Sequence, residues 1–199
     1  MASRGHFATM RRSVTIAVLS IQREQRMTWR PMQLQHLDAV VAIASRVHPL
    51  FPEERDVFAN KLAAYPAGAL MLEQAGRPVG YCLAHPWRGL QPPPLNTLLG
   101  AIPHAADTLY LHDLALLPAA RGTGAGTAAI AILLGHAVAL QLQRCCLVAV
   151  NGSIPYWSRA GFTVSDAPGL RDKLASYGSD ARLMVRTATP QPDIAPFRP

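Results

Sequence analysis

Charge is sparse in this 199-residue chain, at 16% of positions, and no Asp or Glu occurs between Leu114 and Ser165. There is no lysine cluster, no face on which aromatic and basic residues interleave, and no internal repeat. The formal charge of +7 therefore does not describe a nucleic-acid binder. It gathers at the N-terminus, where Arg4, Arg11, Arg12, Arg23 and Arg26 stand against Glu24 alone, and the remainder is only mildly basic. Cysteine is scarce as well. Cys82, Cys145 and Cys146 make an odd count, and adjacent residues on a strand point to opposite faces, so the three read as reduced apolar residues of a cytoplasmic protein. The apolar run Ser13 to Ile21 follows arginines but leads to no small-residue cleavage site, so export is not expected. The uncharged stretch Gly122 to Gln143 has the length of a membrane span. Its glycine, threonine, histidine, glutamine and many alanines predict a helix buried against a sheet instead, and no membrane partner. No metal site is expected.

What is present suits one folded domain, with 50% hydrophobic residues. The reading places an N-terminal extension at residues 1–26, a domain at 27–188 and a proline-rich tail at 189–199. Leu34 to Val47 carries Leu37, Val40, Val41 and Ala44 at helical spacing and stops before His48-Pro49. A second helix is expected from about Glu53 to Tyr65. Ala69 to Gln74 and Val79 to His85 read as a hairpin around Ala75-Gly76-Arg77-Pro78. The segment Pro86 to Ala106, with three consecutive prolines, is too stiff for regular structure and long for a mere connection, which suits a loop over a binding site with His85 and Trp87 at its base. Ala181 to Thr187 alternates as a last strand.

The most informative stretch is Thr108 to Phe162. Thr108 to Leu117 is a mostly buried strand closed by Pro118. Thr127 to Leu142 is a helix by length and composition, so Arg121-Gly122-Thr123-Gly124-Ala125-Gly126 forms the turn before a helix N-terminus. There the first N–H groups lack intrahelical partners and the dipole is positive, so a pyrophosphate can be held by main chain if no side chain blocks it. No lysine follows the glycines, which excludes a Walker A loop. No acidic residue follows about 20 positions later, and the spacing is Gly-x-Gly-x-Gly, which argues against a dinucleotide fingerprint. Close packing of helix on strand is the competing structural reading of these glycines. Arg121, Arg144 and Arg159 without neighbouring carboxylates suit a polyanionic ligand.

The next strand, Arg144 to Val150, runs into Asn151-Gly152-Ser153 and then Tyr156-Trp157-Ser158-Arg159-Ala160-Gly161-Phe162. In order and spacing, the strand "LHDLALLP", the loop Arg121 to Gly126 and the block Asn151 to Phe162 resemble the GNAT superfamily of acyl-CoA-dependent N-acetyltransferases. The resemblance is tight over 108–162 and looser over 28–188.

It implies an α/β (α+β) fold: a mixed, mostly antiparallel sheet of six to seven strands flanked by helices, with two central strands splayed. It implies an N-acetyltransferase that moves an acetyl group from acetyl-CoA to a primary amine by direct attack in a ternary complex. The acceptor would be a small molecule or a peptide, and a homodimer is compatible with this reading. The implied cofactor contacts are Leu114, Leu116, Arg121, Gly122, Thr123, Gly124, Ala125, Gly126, Thr127, Asn151 and Trp157. An attacking amine must first lose a proton. His112 stands nine residues before Arg121, where several family members place the base, and a free imidazole can accept a proton at working pH. Tyr110, two residues back on the same face, would line the acceptor pocket with His85 and Trp87, while Asp113 is expected to point away. In the family, the thiolate's proton donor is often a tyrosine at the place Trp157 occupies. An indole cannot give up a useful proton, which leaves Tyr156, a water or no acid. A non-catalytic acyl-CoA sensor is the rival reading.

Overall fold

The computed structural model describes residues 26–166, 168–175 and 177–188. The expected extension, apart from its last residue, and the proline-rich tail lie outside the described residues. Seven strands form one sheet in the order β1-β2-β3-β4-β5-β7-β6. They are β1 (Met27–Pro31), β2 (Ala69–Gln74), β3 (Arg77–Trp87), β4 (Thr108–Leu116), β5 (Arg144–Ala149), β6 (Thr163–Val164) and β7 (Arg182–Thr187). Every pairing is antiparallel except β4 with β5. The helices are α1 (Leu37–Val47), α2 (Arg55–Ala64), α3 (Ala125–Ala139), α4 (Ile154–Arg159) and α5 (Arg171–Ala175).

Alternation along the strands sorts the core into two layers. Met71, Tyr81, Leu83 and Ala115 pack under α1 and α2, against Leu37, Val40, Ile43, Phe58 and Leu62. Leu70, Cys82, Leu109, Leu111, Cys145 and Leu147 pack under α3 and α4, against Ala129, Ile130, Leu133, Trp157 and Phe162. Helix α3 is apolar nearly all round, so composition does not reveal its buried face; the sheet selects Ala129, Ile130, Leu133 and Ala137 and leaves Ile132 and Val138 outside. It ends at Ala139 rather than Leu142. Gln141 adopts a left-handed φ of 55°, and Leu142 N–H donates to Ala137 O, which closes the last turn.

Two further expectations are adjusted. The hairpin turn is only Ala75-Gly76, both at positive φ as a tight two-residue turn requires, so β3 begins at Arg77 and runs on to Trp87. The long loop is correspondingly Arg88 to Asp107, and it is tied down: Glu54 N–H donates to Asn96 Oδ1 at 2.7 Å and Leu99 N–H to Asn60 Oδ1 at 2.7 Å. The three cysteines are free and buried, and burial pushes the Cys145 and Cys146 thiols up to about 12, far from the nucleophilic thiolate form. Among the described residues no helix is long and apolar enough to cross a membrane.

Two irregularities of β4 create the site. Its pairing with β5 covers only Thr108 to Tyr110, after which the strands diverge. Its register with β3 shifts at Leu83/Ala84, where Leu83 pairs with Asp113 and Ala84 with Leu111, so His112 is the extra residue of a β-bulge.

Candidate active site

The divergence of β4 and β5 opens a cavity of about 770 Å³. Its walls include His112, Tyr110, Leu114, Leu116, Arg121, Asn151, Tyr156 and Trp157, all expected from sequence. Leu117 N–H donates across to Val79 O at 2.9 Å, and backbone groups along a strand alternate in direction, so the N–H groups of Leu116 and Leu114 face the open edge. Arg121 lies over that edge and donates its Nε–H to Leu116 O at 3.0 Å.

Of the predicted turn, Arg121 lines the cavity, and Gly122 to Thr127 lie outside its wall, with Gly126 against Leu116 and Tyr156 where the turn meets α3. Gly122 and Gly124 have φ of 74° and 84°, the left-handed region, and Gly124 as N-cap leaves the first turn of α3 without a side-chain cap. Apart from Ala125 N–H, which donates to Thr123 Oγ1 at 3.4 Å, the first N–H groups are thus available to an anion, and nothing lies within 4 Å of where a Cβ at Gly122 or Gly124 would sit. Thr123 Oγ1 is turned inward to Ala120 O at 2.8 Å, and Trp29 Nε1 anchors the helix start through Ala125 O at 2.8 Å. Gly126 has a different reason to be glycine. A Cβ there would fall 2.2 Å from the Tyr156 hydroxyl oxygen, so the ring of Tyr156 occupies the space.

That hydroxyl is buried and has no hydrogen-bond partner among the described residues. Burial raises the Tyr156 pKa, so the phenol keeps its proton. Trp157 is buried, stacked edgewise on Phe162 at 5.6 Å and on Tyr156 at 5.0 Å. Asn151 closes β5 with a left-handed φ of 53° and stands exposed at the rim.

The bulge reverses one expectation. Asp113 does not point away from His112, because the extra residue brings the side chains of both to the α1/α2 side of the sheet. His112 Nε2 lies 2.7 Å from Glu53 Oε2, and Lys61 Nζ donates to Glu53 Oε1 at 3.0 Å. All three side chains are nearly sealed from solvent. Burial would raise the Glu53 carboxyl, but His112 and Lys61 hold it down at about 2. Burial also pulls the Lys61 ammonium below its ordinary value against the opposing pull of Glu53. Asp113 forms the second cluster, accepting from the Tyr81 hydroxyl and lying 2.9 Å from His48 Nε2. Burial disfavours charge on His48, yet Asp113 outweighs it and the pKa ends up raised.

With Nε2 facing a carboxylate, the neutral imidazole of His112 carries its proton there and has its lone pair on Nδ1, an assignment made from the partner. Nδ1 is buried and has no partner among the described residues. Tyr110 sits beside it with ring centroids 6.0 Å apart. His85 and Trp87 are not part of the cavity wall. His85 is packed behind Tyr110 at 5.5 Å with burial pushing its pKa down to about 3, and Trp87 donates its Nε1–H to Gln91 O at 2.7 Å. From the long loop it is Leu95 that lines the cavity. The residues that sequence reasoning missed are Glu53, Lys61, His48 and Tyr81; no local pattern ties them to β4, since the shortest such link spans 32 positions.

The Acetyltransferase (GNAT) family model matches residues 34–162. The chain belongs to the GNAT family. No curated protein matches its sequence. Several solved structures share the GNAT fold. Ard1 from Thermoplasma volcanium is 15% identical with a TM-score of 0.63, over 82% of this chain and 99% of that one. Arabidopsis thaliana Naa50, in complex with the bisubstrate analogue CoA-Ac-MVNAL, is 14% identical with a TM-score of 0.60, over 80% and 97%. The GphF GNAT-like decarboxylase, in complex with isobutyryl-CoA, is 18% identical with a TM-score of 0.66, over 81% and 100%. At such identities these likenesses speak for the fold, and the GNAT acetyltransferase assignment rests on the family match.

Proposed function

We propose that this GNAT protein transfers an acetyl group from acetyl-CoA to a primary amine by direct attack in a ternary complex. The observation that carries the reading is the buried, unpartnered Nδ1 of His112 in the wall of a cavity that extends to Arg121, Leu116 and Tyr156, the residues beside the glycine turn. Acetyl-CoA supplies the activated acetyl group when bound. The turn fits its pyrophosphate: Arg121, Gly122, Thr123, Gly124, Ala125, Gly126 and Thr127 would hold it, with Leu114, Leu116, Asn151 and Trp157 along the rest of the molecule.

His112 Nδ1 takes the proton of the incoming ammonium, and Glu53 stabilises the imidazolium that results through Nε2. Lys61 keeps Glu53 ionised and in place, so both are positioning residues. The backbone N–H groups of Leu114 and Leu116 are donors for charge that develops on the acyl oxygen. As the C–N bond forms and the C–S bond breaks, the Tyr156 hydroxyl, protonated and unpartnered, is the proton source for the departing thiolate, and the second proton lost by the nitrogen restores the phenol. That donor makes a general acid available despite the indole of Trp157, which favours enzyme over sensor.

The test is calorimetric titration with acetyl-CoA and with CoA, on the intact protein and on Arg121→Glu, followed by thiol release with a panel of amines. Micromolar-range binding weakened in Arg121→Glu, with amine-dependent thiol release, is the expected outcome. Binding without turnover of any amine would favour the sensor, and no binding would remove both readings.

A further inference from the structure

Two carboxylates line the cavity, Glu53 and Asp113, and every oxygen of both is already engaged. Glu53 Oε1 accepts from Lys61 Nζ and from Asn96 N–H, each at 3.0 Å, and its Oε2 faces His112 Nε2 at 2.7 Å. Asp113 Oδ1 lies 2.9 Å from His48 Nε2, and its Oδ2 accepts the Tyr81 hydroxyl. An acceptor with a second ammonium group would need one of these oxygens, because a cation taken out of water without a counter-charge is costly. It would have to share one with Lys61, with the base, or with the His48 and Tyr81 partners of Asp113, each of which already neutralises part of that charge. The other permanent charges in the wall, Arg46 and Arg121, are positive. Arg46 forms no hydrogen bond or ion pair among the described residues, and Arg121 meets only the Leu116 carbonyl. Arg121 is matched by the pyrophosphate it would hold, which leaves the charge of Arg46 to oppose a polycation.

Beside His48 and Glu53, the segment between α1 and α2 and its neighbours also build an apolar stretch of the wall. Val47, Leu50, Phe51, Leu95 and Tyr177 line it. The Phe51 and Tyr177 rings lie 6.3 Å apart in a tilted arrangement, and Leu50 stands 77% exposed. A flat apolar body entering there would cover Leu50 and pack against two rings. We infer that the acceptor is a primary amine on an apolar, aromatic body that bears no second positive charge. This rests on the acetyltransferase reading and adds to it the class of amine.

The experiment compares phenethylamine with spermidine as acceptors at saturating acetyl-CoA, on the intact protein and on Leu50→Glu, with acetyl-CoA binding measured in parallel. Phenethylamine is expected to exceed spermidine in kcat/KM by about tenfold or more, the scale on which an apolar pocket discriminates. Leu50→Glu, an exposed change that spares the core, supplies the missing carboxylate and should narrow that ratio. Spermidine matching or exceeding phenethylamine in the intact protein overturns the inference, as does a ratio unmoved by Leu50→Glu. Acetyl-CoA bound with neither amine acetylated also overturns it, whereas failure to bind acetyl-CoA refutes the acetyltransferase reading itself.

Discussion

His112 and Asp113 are consecutive on β4, yet both side chains face helices α1 and α2, because His112 is the extra residue of a bulge against β3. Each is met there by a side chain from the segment around the α1–α2 connection, Glu53 for His112 and His48 for Asp113. A regular strand would have sent one of the two to the opposite layer. The bulge thus assembles two histidine–carboxylate pairs in one cavity wall.

Removal of the base tests the assignment most directly. His112→Ala should lower kcat by about 10²–10⁴-fold, the span of general base catalysis, while the dissociation constant for acetyl-CoA stays within error. Steady-state kinetics with calorimetry on the same preparation separates the two. Unchanged turnover would mean that another group takes the proton.

The buried Lys61–Glu53 pair is coupled. Glu53→Ala leaves the Lys61 ammonium sealed without a counter-charge and should cost about 3–5 kcal/mol in urea unfolding. The double variant with Lys61→Met should lose less than the sum of the single losses, since the orphaned charge is gone. Additive losses would show that the two side chains are energetically independent.

Gly126 and Tyr156 compete for one volume. Gly126→Ala puts a Cβ where the Tyr156 hydroxyl lies, 2.2 Å away, and overpacking of this kind costs about 1–3 kcal/mol. Tyr156→Phe removes that oxygen and should restore part of the stability. Denaturation midpoints of the two single variants and the double variant decide it.

The pH dependence follows from opposite shifts. The folded carboxyl of Glu53 is depressed from 4.5 to about 2, so its stabilisation is complete above 4.5 and is lost as pH falls towards about 2. The stability gap between the intact protein and Glu53→Gln should therefore close across that window. His48 is shifted the other way, above 6.5, so its ion pair with Asp113 stabilises fully below 6.5 and fades as pH rises through the folded value. Side-chain NMR titration of His48, read against urea midpoints, checks the sign.

By itself the sequence determined the local elements and the motif. The helical spacing of α1, its stop before Pro49, the glycine turn ahead of α3 and the block ending at Phe162 are all local patterns. Hydrogen bonding and φ restrictions over a few residues are enough to set them. Only the tertiary structure decided the chemistry around His112. Pairing with Glu53 joins positions 59 residues apart, and the direction of Asp113 depends on a bulge that neither strand announces in its own sequence. The same holds for His85, which on pattern alone belonged beside the site. Packing of Tyr110 and Trp87 around it fills that space instead, because side-chain volume and register, which are properties of the assembled sheet, choose what reaches the cavity.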